Sequence, residues 1–368
     1  MVIKSFKAEN FRNIEKCNLD FSSGVNLLSG DNAQGKTNAI EGIYVFARGK
    51  SFRASEDREM VRFGEDGFRI SIVFEDKDGE KTLEYACFGR ERLRKKNGYK
   101  INKASEMIGC FRAVLFYPDN LELVKDGPEE RRAFLNVAIS QCYPEYLQYY
   151  SNFKTALDNR NKLLKLSSKN MYVDERELVS WSEYMAECSS FIYLKRKEYI
   201  EKLSEKALKV SLDISEGKEE MKLSFKSDIQ TDSLSRDEIK REYFRIFTEN
   251  LEKEKIVGSS LYGPQRDDMI IELCGKSARS FASQGQQRSC VLALKLAEGE
   301  VIKDIFSEYP VFLFDDVLSE LDERRRKYVL EGAEDKQIII TSCEKDEIQN
   351  KAQKIIVVSG GSYVSSRG

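Results

Sequence analysis

The chain has 368 residues, 41% hydrophobic and 33% charged, enough for two or three domains with a substantial core. It contains no histidine, which excludes His-dependent serine or cysteine triads, His-ligated metals and imidazole bases. A net charge of −2 gives no global nucleic-acid footprint, so any such role must rest on local basic patches.

The first stretch reads as β-rich. Val2-Ile3 with Phe6, Leu19 with Phe21, and Val25 to Leu28 are short strand-like segments between polar turns. A glycine-bearing loop, Gly30 to Thr37, follows. Ala39, Ile40, Ile43, Tyr44 and Ala47 then recur at helical spacing. Residues 69–75 and 82–88 are further strands, Asn97-Gly98 is a hairpin turn, and 113–117 is a buried strand closed by Pro118.

From Glu129 to about Leu212 the pattern is helical. One helix covers 129–141 and a second runs from Pro144 to near Lys169. A longer amphipathic helix carries Trp181, Met185, Cys188, Ile192, Tyr199 and Leu203. The polar loop 167–174 predicts an antiparallel helical hairpin with arms of about 30 to 45 Å, without a sustained heptad repeat. Beyond Glu216 come a strand (221–225), a charged helix (about 237–254), a turn-rich segment (258–268), a buried helix (286–300) and strands at 311–314 and 337–341. The eight cysteines show no CxxC spacing, so buried reduced thiols are expected rather than zinc or disulfide frameworks. No apolar run approaches the roughly 20 residues that span a bilayer, and the N-terminus lacks a signal-peptide layout. The expectation is a cytoplasmic protein without a membrane role.

Gly30-Asp31-Asn32-Ala33-Gln34-Gly35-Lys36-Thr37 fits G-x-x-x-x-G-K-[ST] at every fixed position. Glycines let backbone N–H groups wrap a β-phosphate, and the following helix N-terminus adds its positive end. Lys36 is expected to reach the β- and γ-phosphates of ATP, and Thr37 to ligate Mg²⁺. The apolar strand ending in Asp315-Asp316 supplies the partner acids: Asp315 for Mg²⁺, and Asp316 either to orient the attacking water or as a capping carboxylate. Ser283-Gln284-Gly285-Gln286 opens an apolar helix about 30 residues before that strand, a second anion site suited to the same γ-phosphate. Two such sites on one chain point to an ATP-dependent homodimer in which each copy's signature helix meets the other's ATP. The fold expected is α/β: an ABC-ATPase head (a P-loop NTPase mixed sheet with an antiparallel β subdomain) over 1–125 and 215–368. An inserted helical hairpin subdomain fills 126–214.

Further strings carry a family resemblance: Asn10-Phe11-Arg12-Asn13, Lys50-Ser51-Phe52-Arg53, Gly127-Pro128 with Arg131-Arg132, Gly263-Pro264-Gln265-Arg266-Asp267-Asp268, and Asp315 through Asp322. With these the chain resembles the RecF family of bacterial recombination mediators, relatives of the SMC-type ATPase heads. The resemblance implies ATP-dependent dimerisation on gapped or single-strand-containing DNA, slow DNA-stimulated ATP hydrolysis, and work with RecR and RecO in loading RecA. It also implies a place in DNA replication, repair and the SOS response. Arg12 and Asn13 would touch the nucleotide, though Arg12 reads equally as a surface charge. Ser319 and Asp322 would belong to a D-loop across the dimer. Gln265 replaces the family's usual histidine. After strand 337–341 a phosphate-sensing histidine is absent, leaving Thr341 or Ser342 as alternatives. The best local DNA patch is Arg90, Arg92, Arg94, Lys95, Lys96, Lys100 and Lys103 around the Asn97-Gly98 turn, whose bland alternative is a solvated face. Arg324 to Lys327 reads as an exposed helix face. The competing function is the ATP-hydrolysing subunit of an ABC transporter.

Overall fold

The computed structural model describes residues 1–229, 235–332, 334–343 and 347–367. The chain divides into two compact units. One comprises Met1–Leu121, Lys206–Glu220 and Ser283–Gly368, and the other Glu122–Glu205 and Met221–Ala282.

The first unit contains two six-stranded sheets. One is antiparallel throughout, in the order Ile14–Asp20, Val2–Phe11, Gly67–Asp76, Gly79–Phe88, Glu91–Lys96, Tyr99–Ile101. Its strands alternate: Phe6, Ile70 and Tyr85 are buried while Lys7 and Arg69 are exposed, so one face is core and the other meets water. The second sheet runs Ser362–Arg367, Lys354–Ser359, Val25–Ser29, Ile338–Ser342, Val311–Asp315, Ala113–Phe116. It is parallel except for the terminal hairpin Lys354–Ser359 with Ser362–Arg367. Val25–Ser29, Ile338–Ser342 and Val311–Asp315 are buried at every position, as expected of strands covered on both faces. That burial explains their unbroken apolar runs. Helix Lys36–Arg48 follows the first of them, giving the strand, loop, helix order read from the sequence.

The second unit is mostly helical. Pro144–Ser167 and the part of the 41-residue helix Glu175–Ser215 up to Glu205 form the hairpin. Arg160 meets Ser182, Tyr149 stacks on Phe191, and Tyr146 meets Arg196, a descending-against-ascending register that makes the pair antiparallel. The longer helix is about 62 Å at 1.5 Å per residue, beyond the arm length expected. The charged helix expected at 237–254 is two helices, Arg236–Glu249 and Leu251–Val257, broken at Asn250.

Residues 221–282 group with this helical unit, where the sequence reading put 215–368 wholly in the head. The reason is local. Strand Met221–Lys226 pairs with Asp268–Leu273, and Arg131 forks onto Asp268 through Nε (2.7 Å) and Nη2 (3.0 Å). Arg196 is buried against Asp267 at 2.7 Å. These ties bind the segment to the helices. The Cys274 and Cys343 side chains are exposed, against the expectation of buried thiols.

Candidate nucleotide site

The cradle's backbone requires its glycines. Gly35 sits at φ 114°, and a side chain there would also meet the Asn13 amide oxygen at 2.8 Å. A Cβ on Gly30 would lie 2.2 Å from the Val358 carbonyl. Ala33 takes a left-handed φ of 62° to complete the turn. The terminal hairpin braces the loop from behind: Gly361 N–H donates to Gln34 O (2.9 Å), Gly360 N–H to Gln34 Oε1 (2.5 Å), and the Tyr363 hydroxyl to Gly35 O (2.8 Å).

Lys36 is buried, with Nζ donating to Gly30 O (2.5 Å), Asp31 O (3.1 Å) and Cys343 Sγ (2.9 Å). The Cys343 thiol in turn donates to Asn32 Oδ1 at 2.8 Å. All of Lys36's described partners are neutral.

Thr37 Oγ1 donates to Asp315 Oδ1 at 2.9 Å, and Thr341 Oγ1 donates to the same oxygen at 2.9 Å. Thr341 Oγ1 also accepts the Asp316 N–H at 2.9 Å. Burial pushes the Asp315 carboxyl above its ordinary pKa; the bonds from Thr341 and Thr37 oppose this and neighbouring Asp316 adds to it. Asp316 itself sits at a left-handed φ of 55°, a strained setting for a non-glycine residue and one often kept at functional sites. Thr341, named in the sequence only as a possible phosphate sensor, is here the link between the two acids.

Arg12 is bonded to Glu41, a fully buried carboxylate, through Nε (3.0 Å) and Nη2 (2.6 Å), and to Glu59 O through Nη1. A nucleotide contact by Arg12 would therefore rest on its remaining N–H groups. Sequence reasoning missed Glu41 because a lone acid on an apolar helix carries no signature. Asn13 sits on the loop, donating to Gln34 O (3.3 Å) and accepting from Asn38 (2.7 Å).

Ser283 caps helix Gln284–Phe306: its hydroxyl accepts the Gln286 N–H, and the Gln286 side chain accepts the Ser283 N–H, a reciprocal capping box. Gln284 and Gly285 are exposed at that helix start. Ser319 Oγ donates to Asp316 O at 2.9 Å, which ties the segment after the acidic strand back to the strand end. Asp322 caps the next helix and pairs with Arg325, whose Nε donates to Ser289 of helix Gln284–Phe306 at 3.0 Å. Gln265 donates to Tyr262 O at 2.7 Å within its own turn, a role that needs no titratable ring.

The basic hairpin is not one uniform patch. Arg92 pairs with Asp57 (2.5 Å), Arg94 lies over the Tyr85 ring (4.8 Å), and Lys95 pairs with Glu84 (3.4 Å). Arg90 is exposed in the turn before the strand, and Lys96 closes it opposite Tyr99. Strand alternation sends Arg92, Arg94 and Lys96 to one face and Lys95 to the other.

A model of the RecF/RecN/SMC N terminal domain matches residues 2–363. The DNA replication and repair protein RecF of Clostridioides difficile (strain 630) is 37% identical over 374 residues, covering 99% of this chain and 98% of that protein. The chain belongs to the RecF family. The RecF of Bacillus thuringiensis (strain Al Hakam) is likewise 37% identical over 98% of both chains. A solved structure of the recombination mediator protein RecF with ATP, in the RecFOR pathway, is 33% identical. It superposes with a TM-score of 0.92 over 99% of this chain and 97% of its own. An Smc head domain from Pyrococcus furiosus, at 19% identity and TM-score 0.58, shares the fold. The RecF-family fold is thus the ABC-type α/β head expected from the motifs, and these relatives lend the transporter alternative no support. Among the described residues no helix is long and apolar enough to cross a membrane.

Proposed function

We propose that the chain is an ATP-dependent switch in DNA replication and recombinational repair, whose cradle at Gly30 to Thr37 is half of a composite site. The observation that carries this reading is Lys36: a buried ammonium whose described partners are two carbonyls and a thiol. A desolvated cation without a carboxylate is an anion receptor, because a phosphate supplies the charge its neutral partners cannot. Backbone N–H groups of the loop and the start of helix Lys36–Arg48 add to that attraction.

Thr37 Oγ1 and Asp315 Oδ1 converge at 2.9 Å as two hard oxygen donors, which fits Mg²⁺. Bound with nucleotide, Mg²⁺ neutralises charge on the β- and γ-phosphates. Thr341 fixes Asp315 and the Asp316 backbone together, so Asp316 is positioned to orient or deprotonate water. Aspartate is one methylene shorter than glutamate, which is consistent with slow hydrolysis used as a timer. Ser283, Gln284, Gly285 and Gln286 of a second copy close the site, and Ser319 and Asp322 sit beside it in the D-loop. Arg12 and Asn13 support the cradle. The switch acts on gapped DNA with RecR and RecO in loading RecA. The head comprises Met1–Leu121, Lys206–Glu220 and Ser283–Gly368.

Oligomeric state with ATP and DNA, measured by light scattering, tests this. Wild type and Asp316→Asn should dimerise, the variant more persistently, while Ser283→Arg should bind ATP and stay monomeric. A monomeric Asp316→Asn, or a dimeric Ser283→Arg, would defeat the composite site.

A further inference from the structure

Gly285 stands in the first turn of helix Gln284–Phe306, where its own chain gives it no reason to be glycine. A Cβ there would meet open space, and its φ is not left-handed. Glycine weakens a helix relative to alanine, so its smallness answers something that approaches from outside the chain. The same helix start is held by its own chain through one side chain, Arg325. Its Nε and Nη2 both donate to Ser289 Oγ, the first at 3.0 Å, and Nη2 also reaches the Gly285 carbonyl at 3.4 Å. Ser289 Oγ donates to that carbonyl as well, at 3.2 Å. The remaining donor, Nη1, pairs with Asp322, whose other oxygen accepts the Arg325 N–H at 2.9 Å. A parallel tie joins Arg288 to the Glu320 carboxylate at 3.2 Å and carbonyl at 3.3 Å.

We propose that Arg325 is a positioning residue for the composite site. It fixes the exposed start of helix Gln284–Phe306 against the segment that follows Asp316, so that each copy presents Ser283 to Gln286 to the other copy's ATP in one geometry. The inference rests on the composite-site reading above, and it assigns Arg325 no contact with nucleotide or metal. Helical spacing singles out this arginine from the string Arg324 to Lys327, which the sequence reading took as one exposed face. Arg325 lies one turn ahead of the buried Val329 and is mostly covered. Arg324 and Lys327 are exposed and pair with Glu216 (3.0 Å) and Glu331 (3.8 Å).

A guanidinium suits this task because its planar fork donates in several directions at once. Lysine would keep a charge beside Asp322, but as a point donor it cannot also hold Ser289 and Gly285. The rival is a tie that only stabilises the fold, and the two differ in what they move. A stabilising tie lowers the urea midpoint and leaves the ATP response of the folded protein alone. A positioning tie leaves the cradle at Gly30 to Thr37 with its own ATP affinity and weakens what two copies do together. Ser319 Oγ, donating to Asp316 O at 2.9 Å, extends the same tie to the strand end that carries the acids.

The test compares wild type, Arg325→Lys, Ser289→Ala, those two combined, and Arg324→Met with Lys327→Met as the control on the exposed face. Each is measured for binding of a fluorescent ATP analogue, for dimerisation by light scattering over a range of protein concentration with ATP and DNA, for ATP turnover, and for urea midpoint. Arg325→Lys should bind the analogue within about twofold of wild type, while dimer affinity and turnover each fall about tenfold, the loss expected of charge-assisted bonds. Ser289→Ala should lose a smaller share of both. The combined variant should be no worse than Arg325→Lys, because the two groups act through one contact. The control should match wild type. If Arg325→Lys dimerises and turns over like wild type, whatever its urea midpoint, the inference fails and the composite site stands. It fails equally if Arg325→Lys loses the analogue, or if the losses in the combined variant add. If wild type itself stays monomeric with ATP and DNA, both readings fall.

Discussion

Lys36 in the head and Arg196 in the helical unit are both buried cations, held in opposite ways. Arg196 meets a carboxylate, Asp267, and its other donors reach Pro264 O (2.6 Å), Tyr146 OH (3.1 Å) and Asn136 Oδ1 (3.0 Å). Arg160 is built the same way, on Glu254 (2.6 Å), Ser182 and Ser260. These arginines are satisfied by the chain itself, and their role ends with the fold. Lys36 has comparable burial and no carboxylate among its described partners. Burial alone therefore does not distinguish a structural charge from a functional one; the charge of its partners does.

The largest effect expected from breaking this contrast is on the structural side. Arg196→Met leaves Asp267 buried without its cation and should cost about 3 to 5 kcal/mol, read as a lower urea midpoint. Lys36→Ala should leave that midpoint in place, while ATP binding measured by calorimetry weakens about 100-fold, equivalent to about 2.8 kcal/mol. A destabilised Lys36→Ala, or an unaffected Arg196→Met, would erase the distinction. Thr341→Val is intermediate. It removes the acceptor of the Asp316 N–H and leaves Asp315 Oδ1 with Thr37 alone, costs about 1 to 2 kcal/mol, and should slow ATP turnover more than it weakens ATP binding.

The smallest effect is a pH slope. The folded state raises the Asp315 pKa above 3.8, so it keeps that proton to higher pH than the unfolded chain does. Stability from this group is complete below 3.8 and falls as pH rises through the raised value. Asp315→Asn should flatten that part of the profile and match or exceed wild-type stability at pH 7 in denaturant melts without nucleotide. If the slope is unchanged in the variant, Asp315 is not its source.

The cradle was legible in the sequence because its function is contiguous: one loop between one strand and one helix, with glycines fixed by Asn13 and Val358 crowding them. Asp315 was legible because a buried strand ending in an acid has a distinctive pattern beside such a loop. Glu41 was not, since its meaning depends on Arg12 folding back from 29 residues away. The terminal hairpin was passed over because its tie to the cradle depends on the sheet order, which local patterning does not give. The basic hairpin was found as a string of charges, but only the sheet register separates Lys95 from Arg92 and Arg94.

The hairpin's latch on the loop also sets a clock on biosynthesis. Gly35 leaves the ribosome 328 residues ahead of Tyr363, the side chain that holds its carbonyl. At about 5 to 20 residues per second, the wait lasts about 16 to 66 s. During that interval a nascent chain has its glycine loop but not the brace behind it.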